Sequence, residues 1–301
     1  MSRMEAVPVR FEPNRRRKRA DAAKTAVVMV AMIAAAVYFL FPLYWLFLSS
    51  TKSTADLFNT PILLLSPHPS LAANFHWLNI QQSGIYWRWF LNSIVYSGVT
   101  GVLGTLISAL AGYALAKYTF RLQGAILRIV IGGLAIPSAA LTIPVFLLVK
   151  HLGLINTYAG VILPMLVSPF GVYFMSVYIR DAMPSELIDS GRVDGAGDLQ
   201  IFARIALAIM LPGVVTLFLI TFIGTWNNFF MPLVLLSSQQ LFPVTLGLDL
   251  WVATLGNQTQ EIPVYPLIMV GSVISVLPML VLFPFLRKYI ISGITLGGIK
   301  S

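Results

Sequence analysis

The chain has 301 residues with a mean hydropathy of +0.83, 57% of them hydrophobic and only 10% charged, which is more apolar than a soluble domain sustains. It is therefore expected to be an integral membrane protein, with no stretch long enough for a separate soluble domain. The absence of cysteine excludes disulfides, thiolate metal sites and cysteine nucleophiles together, and the net charge of +9 needs an explanation from topology before one from partners.

Residues 1–25 form a basic arm containing RRRKR at 15–19. The run is read as a solvated, topogenic segment rather than a nucleic-acid or anionic-lipid patch, so no nucleic-acid partner is expected. A hydrocarbon core of about 30 Å needs roughly 20 apolar residues in helix. Six stretches qualify, near 26–48, 91–116, 125–149, 158–179, 206–224 and 265–286. The first exceeds the apolar core of a signal peptide, and the LSSTKST that follows is no cleavage site, so it reads as a retained helix.

Before the second span, Trp77, Tyr86, Trp87 and Trp89 are expected at the headgroup level, where amphipathic rings settle. Inside that span Ser97, Gly101, Thr105 and Ala109 form one small-residue stripe, and Ser108, Gly112 and Ala116 a neighbouring one. Such stripes let backbones approach closely, either within the chain or against a second membrane subunit. Prolines at 144, 164, 169, 212, 232, 278 and 284 predict kinked or broken helices. After the fifth span, WNNFFMPLVLL predicts either an extension of that helix or a re-entrant piece at 229–236. Asn227 and Asn228, beside Trp226, need polar partners, which neighbouring helices, the interface or a polar solute in a pathway can supply; Trp226, Asn227 and Asn228 are the candidate pathway residues.

Seventeen of the twenty lysines and arginines fall in the arm, the second and fourth inter-span loops and the tail; the opposite loops hold only Lys52, Arg88 and Lys150. By the positive-inside rule both termini are cytoplasmic, and the charge of +9 follows from that topology. The spans contain almost no ionisable residue, the usual mark of ion coupling. No H-E-x-x-H, G-x-S-x-G or phosphate-loop motif occurs, and His68, His76 and His151 lie scattered in outer loops without metal spacing. No catalytic residue, metal site or bound cofactor is expected in this chain.

The fourth loop, about 180–205, breaks the apolar composition. Five of the eleven acidic residues lie between Asp181 and Asp198. Burying the eight charges from Arg180 to Arg204 in lipid, at roughly 2.5–3.5 kcal/mol each, would require on the order of 20 kcal/mol, so the loop leaves the membrane. It is nonetheless ordered by its sequence: Pro184 suits a helix start, Glu186 and Asp189 suit a first turn, and Leu187 and Ile188 give an apolar edge. VDGAGD at 193–198 then predicts a turn, with Gly195 free to take positive φ and Gly197 or Asp198 capping the next helix. Helix, glycine turn and helix make a docking element rather than a slack linker.

This loop resembles the cytoplasmic signature of the membrane permease subunits of bacterial binding-protein-dependent ABC importers, in the carbohydrate-uptake branch related to the second maltose permease subunit. That signature runs E-A-A, D-G-A, F-x-x-I-x-L-P, and the matching residues are Asp189-Ser190-Gly191, Asp194-Gly195-Ala196, then Phe202, Ile205, Leu207 and Ala208. Asp189, Ser190, Gly191 and Ala208 depart from it in residue type, while Pro212 keeps a later proline. The likeness extends in order through FPLYWLFLSSTKS (41–53), WFLNSIVYS (89–97), GYALAKYTF (112–120), IPVFLLVKHLGLINTYAGVIL (143–163), WNNFFMPLVLL (226–236) and RKYIISGITLGGIKS (287–301).

The resemblance implies a type I ABC importer-like, all-α transmembrane domain over 26–290 with a cytoplasmic tail at 291–301, in a bacterial cell membrane. It implies a heterodimer with a second permease, two cytoplasmic ATPase subunits that bind the ATP and Mg, and an extracytoplasmic sugar-binding protein. The loop then serves as the coupling element through Glu186, Asp189, Ser190, Gly191, Arg192, Asp194, Gly195 and Ala196, and the tail reaches the ATPases through Gly297, Gly298 and Lys300. The alternative reading of the same spans is an ion-gradient-driven carrier of a small polar solute.

Overall fold

A computed structural model describes residues 15–255 and 263–295, with side chains over 24–255 and 263–284. Every regular element described is helical. In chain order they are α1 (Arg15–Ser50), α2 (Thr54–Asn59), α3 (Leu71–Ile80), α4 (Ile85–Lys117), α5 (Gln123–Leu134), α6 (Thr142–His151), α7 (Tyr158–Leu166), α8 (Pro169–Ala182), α9 (Glu186–Val193), α10 (Asp198–Ile201), α11 (Leu207–Trp226), α12 (Phe230–Leu235), α13 (Val244–Thr254) and α14 (Val264–Thr295). The basic arm enters this description only at Arg15, already in helix.

Five stretches are long and apolar enough to cross a bilayer: Lys24–Ser50, Ile85–Lys117, Tyr158–Ala182, Asp198–Trp226 and Val264–Pro284. The sixth expected span, 125–149, is not one straight helix. Gln123–Leu134 and Ser138–His151 meet at an angle of 104°. Pro137 forces the residue before it away from helical geometry, and a short 3-10 turn, Ser138–Leu141, begins the second arm. The stretch after Trp226 is not a helical extension either: the chain breaks at Asn227–Phe229 and resumes as the six-residue α12.

The centre of the bundle is α4, which packs along both α8 and α11. The small-residue stripes explain why. A Cβ on Gly112 would stand 2.6 Å from the Met175 Cβ and 2.8 Å from the Ser176 amide nitrogen, and one on Gly171 would stand 2.5 Å from the Ser108 hydroxyl. On the other stripe, a Cβ at Gly101 would come within 2.9 Å of the Phe218 ring. The stripes therefore pack helix on helix inside this chain, with backbones closer than any larger residue permits.

At the outward end, α4 fastens a distant loop. The Trp89 indole donates to the Gln239 carbonyl (2.8 Å), the Asn92 amide to the Gln240 and Phe242 carbonyls (2.8 and 2.9 Å), and the Tyr96 hydroxyl to the Leu241 carbonyl (2.9 Å). This corrects the expectation of an interfacial aromatic belt. Tyr86 and Trp89 are fully buried, packed with Trp226, Trp251 and Leu267, and only Trp77 and Trp87 retain the partly exposed position that an interface ring needs.

Candidate functional site

The opposite end carries Lys117, Arg180, Arg192 and Arg204 and is therefore the cytoplasmic end. Here α8 stops at Ala182, and the Lys117 ammonium, closing α4, donates to the Met183 carbonyl at the end of α8. The chain turns through Pro184 and Ser185 into α9, whose first turn carries Glu186 and Asp189 and whose last carries Arg192, each sign favourable to the helix dipole.

The turn that follows is a Schellman motif. The Ala196 N–H donates to the Gly191 carbonyl (2.9 Å) and the Gly195 N–H to the Arg192 carbonyl (3.0 Å), with Gly195 at φ +78°. Asp194-Gly195-Ala196 is thus one mechanical unit: the residue that caps α9, the left-handed residue that reverses the chain, and the residue whose N–H closes the helix. Gly197 then caps α10 in extended conformation, its N–H donating to the Gln200 side-chain oxygen (3.2 Å). A π-helical turn, Phe202–Ala206, leads into α11. Ala208 follows directly and keeps its N–H, so helix continues from Asp198 to Trp226.

The element has two faces. Ile188, Gly191, Ile201 and Phe202 are buried, and Ile188, Ile201 and Phe202 join a core with Tyr113, Met175, Ile179 and Met210, which Ala196 and Ile205 partly cover. Gly191 sits against Ile201 and Ile205; a Cβ there would lie 3.1 Å from Ile201 Cγ1. The glycine in place of the signature's alanine thus sets α9 close against the helix that follows. Glu186, Asp189, Ser190, Arg192, Asp194 and Gly195 are all exposed. Val193 and Leu199 stand out with them, 87% and 75% exposed, apolar side chains in the middle of a charged surface.

Arg192 is fixed from two sides. Its guanidinium reaches Asp198 Oδ1 at 3.1 Å, with Asp189 Oδ1 at 4.0 Å, and lies over the Tyr118 ring, 5.7 Å from its centroid. The hydrogen bond to Asp198 raises its pKa above an already high ordinary value; the cation is permanent. Sequence reasoning missed Tyr118, Lys117 and the exposed pair Val193 and Leu199. The first two lie in the GYALAKYTF segment, where a cation and an aromatic ring at the end of an apolar helix were the available signal.

The candidate pathway residues lie elsewhere. Trp226 is buried, stacked on Phe222 (6.0 Å) and edge-on to Phe90 (5.7 Å). Asn227 is exposed, its amide donating to the Ile223 carbonyl (3.0 Å). Asn228 is half-buried, its Oδ1 accepting the Met231 N–H (3.2 Å). Gly297, Gly298 and Lys300 lie outside the described residues. No group of three or more His, Asp or Glu side chains placed to hold a metal occurs among the described residues.

A bundle of bilayer-length helices with a charged helix and turn at its cytoplasmic end defines a multi-spanning membrane protein. Residues 101–296 match the model of the family described as binding-protein-dependent transport system inner membrane component, and the chain belongs to that family of importer permeases. It is 37% identical to the arabinooligosaccharides transport system permease protein AraQ of Halalkalibacterium halodurans, over 87% of this chain and 91% of the relative. It is 29% identical to the lactose transport system permease protein LacG of Rhizobium radiobacter, over 91% of this chain and 96% of the relative. The fold is that of a chain in the crystal structure of a bacterial ABC transporter involved in the import of the acidic polysaccharide alginate, with a TM-score of 0.79 at 22% identity, over 94% of this chain and all of that one. The protein is a multi-pass bacterial membrane permease subunit of an ABC importer.

Proposed function

We propose that this chain forms one half of the translocation pathway of an oligosaccharide importer, paired with a second permease, fed by an extracytoplasmic sugar-binding protein and driven by two ATPase subunits. The observation that carries the reading is α9 with its Schellman turn: a short helix anchored by Ile188 and Gly191 into the bundle and aimed outward by six exposed residues. Such an element transmits force only if something grips it, and the exposed Val193 and Leu199 among the charges give a partner apolar purchase in a polar rim. A saccharide cargo rests on the relatives, whose names specify arabinooligosaccharides and lactose.

ATP binding, in this reading, draws the ATPase subunits together, carries α9 with them and shifts the permeases toward the outward-facing state. The shift is limited by the partner's differential affinity for the two states. Glu186, Asp189, Ser190, Arg192, Asp194 and Gly195 meet the ATPase, while Gly191 and Ala196 set the angle at which they are presented. Gly297, Gly298 and Lys300 are assigned a second contact with the ATPases, and Asn227, with Trp226 and Asn228 beside it, a place on the pathway. The test is uptake of a labelled oligosaccharide in cells whose proton and sodium gradients are collapsed while ATP is maintained. Uptake is expected to continue at its original rate; arrest would assign the chain to a gradient-driven carrier instead.

A further inference from the structure

The end of α2 and the segment that leads on toward α3 read LFNTPILLLSP over 57–67 and hold no charged residue. Phe58 and four consecutive aliphatics, Ile62 to Leu65, are all exposed. A contiguous apolar patch of this kind marks an interaction surface, and the way the segment is fastened says which.

The Tyr44 hydroxyl donates to the Leu63 carbonyl at 3.1 Å. Tyr44 lies six residues before Ser50, the last residue of α1, which at 1.5 Å per residue is about 9 Å along the axis. Helical side chains lean toward their own N-terminus, here toward the bilayer centre. Leu63 has therefore come back alongside α1 to the depth of Tyr44, within the apolar band of that helix, instead of standing out from the membrane. The Lys52 ammonium, itself buried, donates to the Pro61 carbonyl (2.7 Å), and the Leu64 N–H shares that oxygen (3.3 Å). The Phe58 ring meets Tyr265, at the start of α14, edge-on at 5.2 Å. Irregular backbone in the hydrocarbon needs its polar groups paired within the protein; the Pro61 and Leu63 carbonyls and the Leu64 N–H are so paired, and the other peptide groups of 62–65 set the segment at the upper edge of the acyl region, within reach of headgroups and water. The nearest acid, Asp56, is turned onto the Ser53 and Ser66 hydroxyls (both 2.9 Å), tying the two ends of the loop together.

We infer that residues 58–65 are an anchor set into the outer leaflet, with lipid acyl chains covering Ile62, Leu64 and Leu65. The anchor steadies the outward end of α1 against α14. Because the chain has no cysteine, L64C carries a nitroxide at a defined place, with the cysteine-free chain in the same assembled transporter as blank. In a lipid bilayer the label is expected to collide with oxygen more often than with a water-soluble nickel chelate, as labels among acyl chains do. Low collision with both reagents would mean that a protein covers the segment, and nickel collision equal to or above oxygen would place it in water; either overturns the anchor. I62C gives the same reading should L64C fail to assemble.

Discussion

Valine at Gly195 is expected to lower uptake, and the ATP hydrolysis that substrate stimulates, by tenfold or more while leaving the membrane helices inserted. The space around the residue is open, with nothing within 4 Å of an added Cβ, so the effect does not come from a clash within this chain. It comes from φ +78°, a conformation that costs an L-residue about 1–2 kcal/mol and a β-branched one more. Relieving it breaks the two hydrogen bonds that end α9, from Ala196 to Gly191 and from Gly195 to Arg192, and re-aims the helix. At about 1.4 kcal/mol per factor of ten, that strain alone accounts for a tenfold loss in docking. Asparagine, which tolerates the left-handed region, is expected to retain most of the uptake. Equal loss with Gly195→Asn and Gly195→Val would show that the partner excludes any side chain there, and that backbone conformation is not the requirement.

Gly112→Val is expected to destabilise the bundle. The new Cβ would stand 2.6 Å from the Met175 Cβ and 2.8 Å from the Ser176 nitrogen, the second of which is backbone and has no rotamer to yield. Overpacking a core typically costs about 1–3 kcal/mol, and separating α4 from α8 also disturbs the core formed by Tyr113, Met175 and Ile179, on which Ile188 of α9 rests. The amount of monodisperse protein recovered from membranes is expected to fall severalfold. Gly132→Val on α5, where an added Cβ meets nothing within 4 Å, carries the same small gain in helix propensity without the clash and is expected to accumulate normally. Equal losses for both would mean that a bulkier side chain on either helix lowers the yield, and that the close approach of α4 to α8 does not set it.

Both predictions rest on features that were legible in the sequence, because each is written in local residue types. Hydropathy located the spans, the small-residue stripes marked the close helix contacts, and Asp194-Gly195-Ala196 marked a reversal whose hydrogen bonds follow from one left-handed residue. What was not legible depends on partners far along the chain. Nothing near Trp89 says that the Gln239 carbonyl, 150 residues away, will accept its indole N–H, so amphipathic rings that suit a headgroup layer were read as lying in one. The 104° bend before Ser138 had Pro137 as its signal, a proline absent from those expected to kink helices, and the apolar run of spanning length was read as one straight helix. Trp226 and Asn227 are adjacent in sequence and opposite in environment, one buried among rings and one exposed, because α11 ends between them. Around α9 the charged residues were legible in the sequence, yet the Arg192 contacts with Asp198 and with Tyr118 arise from a fold that returns α10 and the end of α4 to the same place.

The central claim is that α9 is gripped by an ATP-hydrolysing subunit. Its most direct test places the photoreactive residue p-benzoylphenylalanine at Val193, the apolar side chain that stands 87% exposed at the end of the helix, in the assembled transporter. Illumination is expected to join this chain to the ATPase subunit, in a yield that changes when ATP is added. A transporter that carries the label, imports its sugar and forms no such adduct with or without ATP would contradict the account.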